Sequence, residues 1–216
     1  MTIDFLGISL QSYSWQTVLG SSISGVFLGS IYALVALGLT LIYGVLHIIN
    51  FAHGSLLMLA MYAVFFLWNI LGIDPYLAMF IVVPGGFLFG YALQRTVIGK
   101  AGHGKDEITL LVMLGVSIVM ENTALFFFTA TDRSVRVPYD LDGFDLGVTY
   151  VVYPEIAALL GSVLITLVLW LFMSYTDTGK AIRAVSKERQ GARLVGINVE
   201  HIFAVSFGIG TACVAA

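Results

Sequence analysis

Between Val26 and Tyr43 the chain carries no charged residue and is apolar or small at nearly every position. As a helix rising about 1.5 Å per residue, that run is roughly 27 Å long, enough to cross a bilayer. It continues without a polar linker into His47, Asn50 and His53, closed by Gly54. At three-residue spacing these side chains are expected on one side of a helix. A polar side on so apolar a segment cannot face lipid cheaply, so it should face other helices or a water-lined path.

The rest of the chain fits the same setting. Of its 216 residues, 59% are hydrophobic and 11% charged, against about 45–50% and 25% in a soluble domain. This is the composition of an integral membrane protein, with the lipid bilayer as its solvent. A net charge of −3 offers no basic surface for nucleic acid. Cys213, the single cysteine, rules out an internal disulfide and a cysteine metal cluster, and reads as helix packing. Met1 to Gln16 lacks Lys and Arg and so lacks the basic start of a secretory signal. It is expected to be a short non-cytoplasmic lead-in, lying at the interface through Phe5, Leu6, Tyr13 and Trp15.

Four further apolar segments follow. Ser55 to Leu71 is the second span, ended by Gly72-Ile73-Asp74-Pro75, whose proline suits the first turn of a new helix. Tyr76 to Ile98 is the third, with a kink expected at Pro84-Gly85-Gly86. Ile108 to Ala130 is the fourth and contains Glu121 and Asn122. The polar stretch from Thr131 to Pro154 alternates around Val148 to Val152, which suggests a short hairpin. Glu155 to Tyr175 is the fifth span. Phe203 to Ala216 supplies about 14 residues of a sixth, short of the roughly 20 that a crossing needs, so a truncated sixth span is expected. The expected fold is all-α: a polytopic transmembrane helix bundle forming a single domain over 1–216.

Orientation follows from basic residues in short loops. The loop 176–201 contains Lys180, Arg183, Lys187, Arg189 and Arg193, half of the protein's basic residues, and is therefore expected in the cytoplasm. Counting back one span at a time puts the N-terminus outside. Within this loop Ala181, Ile182, Val185, Ala192 and Val195 make an apolar helical stripe flanked by charge, with Gly191 and Gly196 expected to loosen or end the helix. Such a helix could dock into a groove on a partner; a solvated loop serving only topology is the plainer reading.

Other patterns weaken on inspection. Gly99 to Lys105 fits the first seven positions of a phosphate-binding loop, but Asp106 stands where Ser or Thr must hold magnesium, and no β-strand precedes it. His47 and His53 lack a third metal ligand at suitable spacing. No arrangement suggests a nucleophile and its base or a paired acid and base, so no enzyme is expected. Glu121, an ionisable group near mid-bilayer, should face the interior. Lining a path and a structural hydrogen bond to another helix both fit it.

Three groups of residues carry a family resemblance. Gly29-Ser30-Ile31-Tyr32-Ala33-Leu34, Gly38-Leu39-Thr40-Leu41-Ile42-Tyr43-Gly44 and Ile49-Asn50-Phe51-Ala52-His53-Gly54 form the first. Leu114-Gly115-Val116-Ser117-Ile118, Glu121-Asn122 and Asp132-Arg133-Ser134 form the second, with Thr129-Ala130 where a glycine is expected. Gly179-Lys180-Ala181-Ile182-Arg183-Ala184 and Ala192-Arg193-Leu194-Val195-Gly196-Ile197-Asn198 form the third, with Gly191 where a bulkier residue is expected. Together they resemble the permease subunits of branched-chain amino acid ABC importers. Gly25, Gly29 and Gly38 are equally explained by close helix packing.

The resemblance implies a translocation path involving Asn50, His53, Gly54, Glu121 and Asn122. It also implies a coupling segment that meets an ATPase through Gly179, Arg183, Arg193 and Gly196. It implies ATP-binding cassette subunits, a second related permease and an extracytoplasmic solute-binding protein as partners, with the chain multi-pass in the cell (inner) membrane. No cofactor is expected on this chain; ATP would be used by the partner subunits. Urea and short amides are alternative cargoes, and a stand-alone secondary carrier or channel is the alternative mechanism.

Overall fold

The computed structural model describes residues 3–5, 8–10, 15–102, 106–145, 147 and 149–216. Five of its helices are long and apolar enough to cross a membrane: α1 (Trp15–Leu46), α2 (His53–Leu71), α3 (Pro75–Leu93, extended by a π-helical turn to Ile98), α5 (Asp106–Phe128) and α6 (Tyr153–Tyr175). Between the third and fourth of these lies α4 (Gly99–Gly102), so the start of the candidate phosphate loop is helical; its residues 103–105 lie outside the described residues. After α6 come α7 (Asp177–Lys187), α8 (Arg189–Leu194) and α9 (Val199–Ala215), the last a shorter apolar helix. The fold is all-α and polytopic, with two short antiparallel hairpins, Ile3–Phe5 with Ile8–Leu10 and Gly143–Asp145 with Tyr150–Val152. Leu6 and Tyr13 of the expected interfacial lead-in lie outside the described residues, as does Val148 of the expected hairpin.

Packing divides the chain into two units. The first comprises Met1–Ala33 and Arg136–Leu164. Here α1 begins 11 residues before Val26, because hydroxyls in this serine-rich lead satisfy themselves within the helix; Ser22 Oγ donates to the Val18 carbonyl at 2.8 Å. Gly143 permits its hairpin, since a Cβ there would lie 2.1 Å from the Val151 carbonyl oxygen. Asp145 accepts from the Gly147 N–H at 2.8 Å, and Gly147 takes φ +77° to close the turn. Gly25 and Gly29 have open space where a Cβ would stand, so no contact among the described residues requires a glycine at either position.

The second unit comprises Leu34–Val135 and Ile165–Ala216. Its core joins Ile42, Val45 and Leu46 of α1 to Ile98, Met113, Ile182, Val185 and Phe207. Backbone approach through small residues places α9. A Cβ on Gly38 would fall 2.6 Å from the Gly210 carbonyl oxygen, and one on Gly210 would fall 2.5 Å from Ile42. On α3, a Cβ on Gly86 would meet Ala215 at 2.8 Å and one on Gly90 would meet Thr211 at 2.3 Å. The helix runs through Pro84, and Gly86 serves this contact; a π-helical turn, Gln94–Ile98, follows it. Asp74 accepts from the Tyr76 N–H at 2.9 Å with Pro75 at the first helical position, as the turn residues predict.

Gly38→Ala therefore lowers stability by about 1–3 kcal/mol through overpacking, whereas Gly29→Ala does not. Thermal unfolding of the two purified variants checks this, and equal behaviour would contradict the packing described.

Candidate functional site

The polar segment after α1 is not one helical face. The helix stops at Leu46 and His47 takes φ +59°, so residues 47–52 form a non-helical link before α2. His47, expected beside Asn50 and His53, is exposed, while Asn50 (3% exposed) and His53 (6%) are buried. A backbone that leaves the helix must find other partners for its polar groups. Asn50 Oδ1 accepts from the Ala52 N–H at 3.0 Å, and the His53 N–H donates to the Asn50 carbonyl at 3.2 Å, which starts α2. His53 Nε2 lies 3.0 Å from the Val35 carbonyl of α1, so this nitrogen carries the ring proton and donates. Asn50 Nδ2 and His53 Nδ1 are buried without a hydrogen-bond partner. Gly54 is exposed, with space where a Cβ would stand.

Glu121 and Asn122 lie on α5, exposed on the chain's surface instead of in its interior. Glu121 is nonetheless held. Ser55 of α2 and Ser117 of α5 lie 2.8 and 3.0 Å from its Oε1 and 2.7 Å from each other. Two hydroxyl hydrogens serve these three contacts, so the carboxylate takes at least one and the serines align it. Asn122 turns back on its own helix, donating to the Ile118 carbonyl at 2.8 Å. Among the described residues no hydrogen bond joins Asn50 or His53 to Glu121, and no group of three or more metal-binding side chains is present. The sequence reading missed Ser55 and Ser117; the four-residue step from Ser117 to Glu121 is a helical spacing that could have found one of them.

The 176–201 loop folds as α7 and α8, and its apolar stripe turns inward. Ile182, Val185 and Ala192 are buried in the second unit's own core, so they are not free to enter a partner's groove. The helix breaks at Glu188, whose extended backbone separates α7 from α8 and whose carboxylate accepts from the Gln190 N–H at 3.1 Å, while Gly191 stays helical. Gly179 is required by contact, because a Cβ there would lie 2.5 Å from the Met173 carbonyl oxygen. Gly196, at φ +85°, ends α8: its N–H bonds the Arg193 carbonyl at 3.0 Å and the Ile197 N–H bonds that of Ala192 at 3.0 Å, the paired closure that a left-handed glycine permits.

Three arginines close the C-termini of three spans, none of which has a basic residue in its own last turn. Arg133 Nη2 donates to the Phe128 carbonyl of α5 at 2.8 Å and lies over the rings of Phe65, Phe66 and Phe128. Arg183 Nη1 donates to the Met173 carbonyl of α6. Arg189 Nη2 donates to the Leu46 carbonyl of α1, lies 3.5 Å from His47 Nδ1 and sits over the Phe203 ring of α9. A cation at a helix C-terminus meets unpaired carbonyls and the negative end of the dipole, so each contact is favourable. Arg193 is exposed and makes no hydrogen bond or ion pair among the described residues; beside it Leu194 (88%) and Val195 (75%) are the exposed apolar residues of this segment.

Residues 21–216 match the family described as branched-chain amino acid transport system / permease component. The chain belongs to that family. This permease-family chain is 30% identical over 212 residues to the high-affinity branched-chain amino acid transport system permease proteins LivH of Salmonella typhimurium and of Escherichia coli K12, an alignment covering 89% of the chain and 66% of each relative. It is 30% identical over 207 residues to BraD of Pseudomonas aeruginosa, covering 89% of the chain and 67% of that relative. The chain thus spans just under two thirds of the length of the LivH relatives. No solved structure matches it.

Arg189 is the cation that ties α8 to α1. Arg189→Met removes a charge-assisted hydrogen bond of about 1.5–3 kcal/mol, and amide hydrogen exchange at 44–50 and 187–196 is expected to quicken together. Arg189→Lys is expected to restore part of the protection. Exchange that changes in only one of the two segments would contradict the link.

Proposed function

We propose that this chain is the membrane permease of an ATP-driven, binding-protein-dependent importer of branched-chain amino acids. The family and the substrate in its relatives' names support this reading, and one observation supports its mechanism: segment 176–201 is fastened to the ends of two spans. Arg183 grips α6 and Arg189 grips α1. A partner that displaces α7 and α8 would therefore displace span ends, which is how one chain's ATP hydrolysis can switch another between outward and inward openings.

In this reading loop 176–201 is cytoplasmic and the N-terminus outside. ATP is a cofactor of separate cassette subunits. With the apolar stripe used internally, the surface left for the ATPase is Arg193 with Leu194 and Val195, an arginine beside exposed apolar side chains of the kind that anchors interfaces. Glu121, exposed within a span, is covered by a second related permease and lines the path between the two. Asn50 and His53 brace the entry to α2 from behind. An extracytoplasmic solute-binding protein selects the amino acid.

Arg193→Glu combined with Leu194→Asp is expected to cut ATP-driven leucine uptake at least tenfold in vesicles holding the complete importer, an interface loss of about 2 kcal/mol or more. Membrane insertion and the α1–α8 link are expected to survive. Unchanged uptake in this double variant, or leucine uptake by the chain without any ATPase subunit, contradicts the proposal.

A further inference from the structure

Within the second unit, α3, the later part of α6 and α9 enclose a groove of about 460 Å³. Val83 and Phe87 of α3, Leu169 and Phe172 of α6, and Val205 and Ile209 of α9 form its walls. The wall residues recur three or four apart on each helix, so each helix presents a continuous stripe. From Met79 to Phe87 the α3 wall runs about 12 Å, close to the roughly 15 Å of hydrocarbon in one leaflet. All three helices are apolar, and two of them are full spans, so the slot opens among membrane helices.

One end of the groove is polar and basic. Thr178 and His201 close it. Tyr91, stacked on Phe87, places its hydroxyl 3.1 Å from His201 Nδ1, and Arg95 donates to that hydroxyl at 2.6 Å. A guanidinium can only donate, so the Tyr91 hydrogen is free for His201 Nδ1, and the ring's other nitrogen is left as a donor. Arg95 is exposed and forms no ion pair among the described residues, so its other N–H groups remain for an acceptor. Glu200, exposed and adjacent to His201, opposes an anion, but it stands about 100° further round the helix.

We propose that this groove is a phospholipid site with a preference for an anionic headgroup. An acyl chain lies between α3, α6 and α9, and the phosphate meets His201, Tyr91 and Arg95. The complementarity is that of an amphiphile: apolar walls as deep as one leaflet beneath a basic rim. A soluble phosphate would leave the walls uncovered, and an apolar helix of another subunit would leave the rim without a counter-charge. The site is independent of what the permease carries, and lipid retention reads it without transport.

The test uses the full chain in phosphatidylcholine nanodiscs doped with phosphatidylglycerol, with retained lipid identified by native mass spectrometry. The wild type is expected to retain phosphatidylglycerol about fivefold over phosphatidylcholine, the preference that one basic residue near an anionic surface supplies. Arg95→Gln is expected to remove that preference, and Val205→Trp, which fills the slot, to abolish retention of both lipids. Ile209→Trp serves if Val205→Trp fails to keep its helical circular dichroism. No retained lipid in the wild type, or equal retention of the two lipids, overturns the proposal. A phosphatidylglycerol with a diazirine in its acyl chain gives a second readout: labelling within 83–87, 165–172 or 201–213 supports the site. Labelling confined elsewhere overturns it.

Discussion

Helices surrounded by lipid gain little hydrophobic energy by meeting one another, so what brings them together is contact at short range. In this chain that contact is made by backbone. Gly38 and Gly210 leave no room for a methyl group between α1 and α9, and Gly86 and Gly90 do the same between α3 and α9. With α9 fixed against two spans, Phe207 is fully buried and Ile42 closes over Gly210. Helices α7 and α8 gain a floor, since their buried faces share one core with Val199, Ile202 and Phe207.

A second constraint is electrostatic. Every helix ends with carbonyls that nothing within it can satisfy, and in α1, α5 and α6 no local basic residue answers them. Arg133, Arg183 and Arg189 answer from later in the chain. Arg133 closes α5 where Thr129, a β-branched residue, is held at φ +61°, a conformation costing about 1–2 kcal/mol that the surrounding contacts must hold. Arg183 and Arg189 do more than close ends, because both belong to the segment proposed to meet the ATPase. The same charges that indicate which side of the membrane the loop occupies also fasten it to the spans.

The sequence makes the spans legible because a long charge-free run has few ways to satisfy its backbone in lipid; α2, α5 and α6 begin within two residues of their expected starts. The turn at Gly72-Ile73-Asp74-Pro75 is legible for a local reason, the fixed φ of proline beside a capping aspartate. What could not be read depends on partners distant in sequence. The end of α1 at Leu46 and the left-handed His47 accompany an arginine 142 positions away. The stripe of Ile182, Val185 and Ala192 is amphipathic in either setting, so the pattern alone could not say whether it meets another protein or this one. Glu121 was expected inside because a charge in a span is costly; two serines align it, and it stays exposed on the single chain.

The account rests on α7 and α8 moving as one body with the end of α1. Spin labels at 47 and 187 in the assembled importer, read by pulsed electron paramagnetic resonance with and without ATP, measure that directly. The account predicts a 47–187 distance that stays constant while a pair spanning α2 and the corresponding helix of the second permease changes. A 47–187 distance that shifts by several ångströms on ATP binding would show that α7 and α8 move free of the span and would contradict the account.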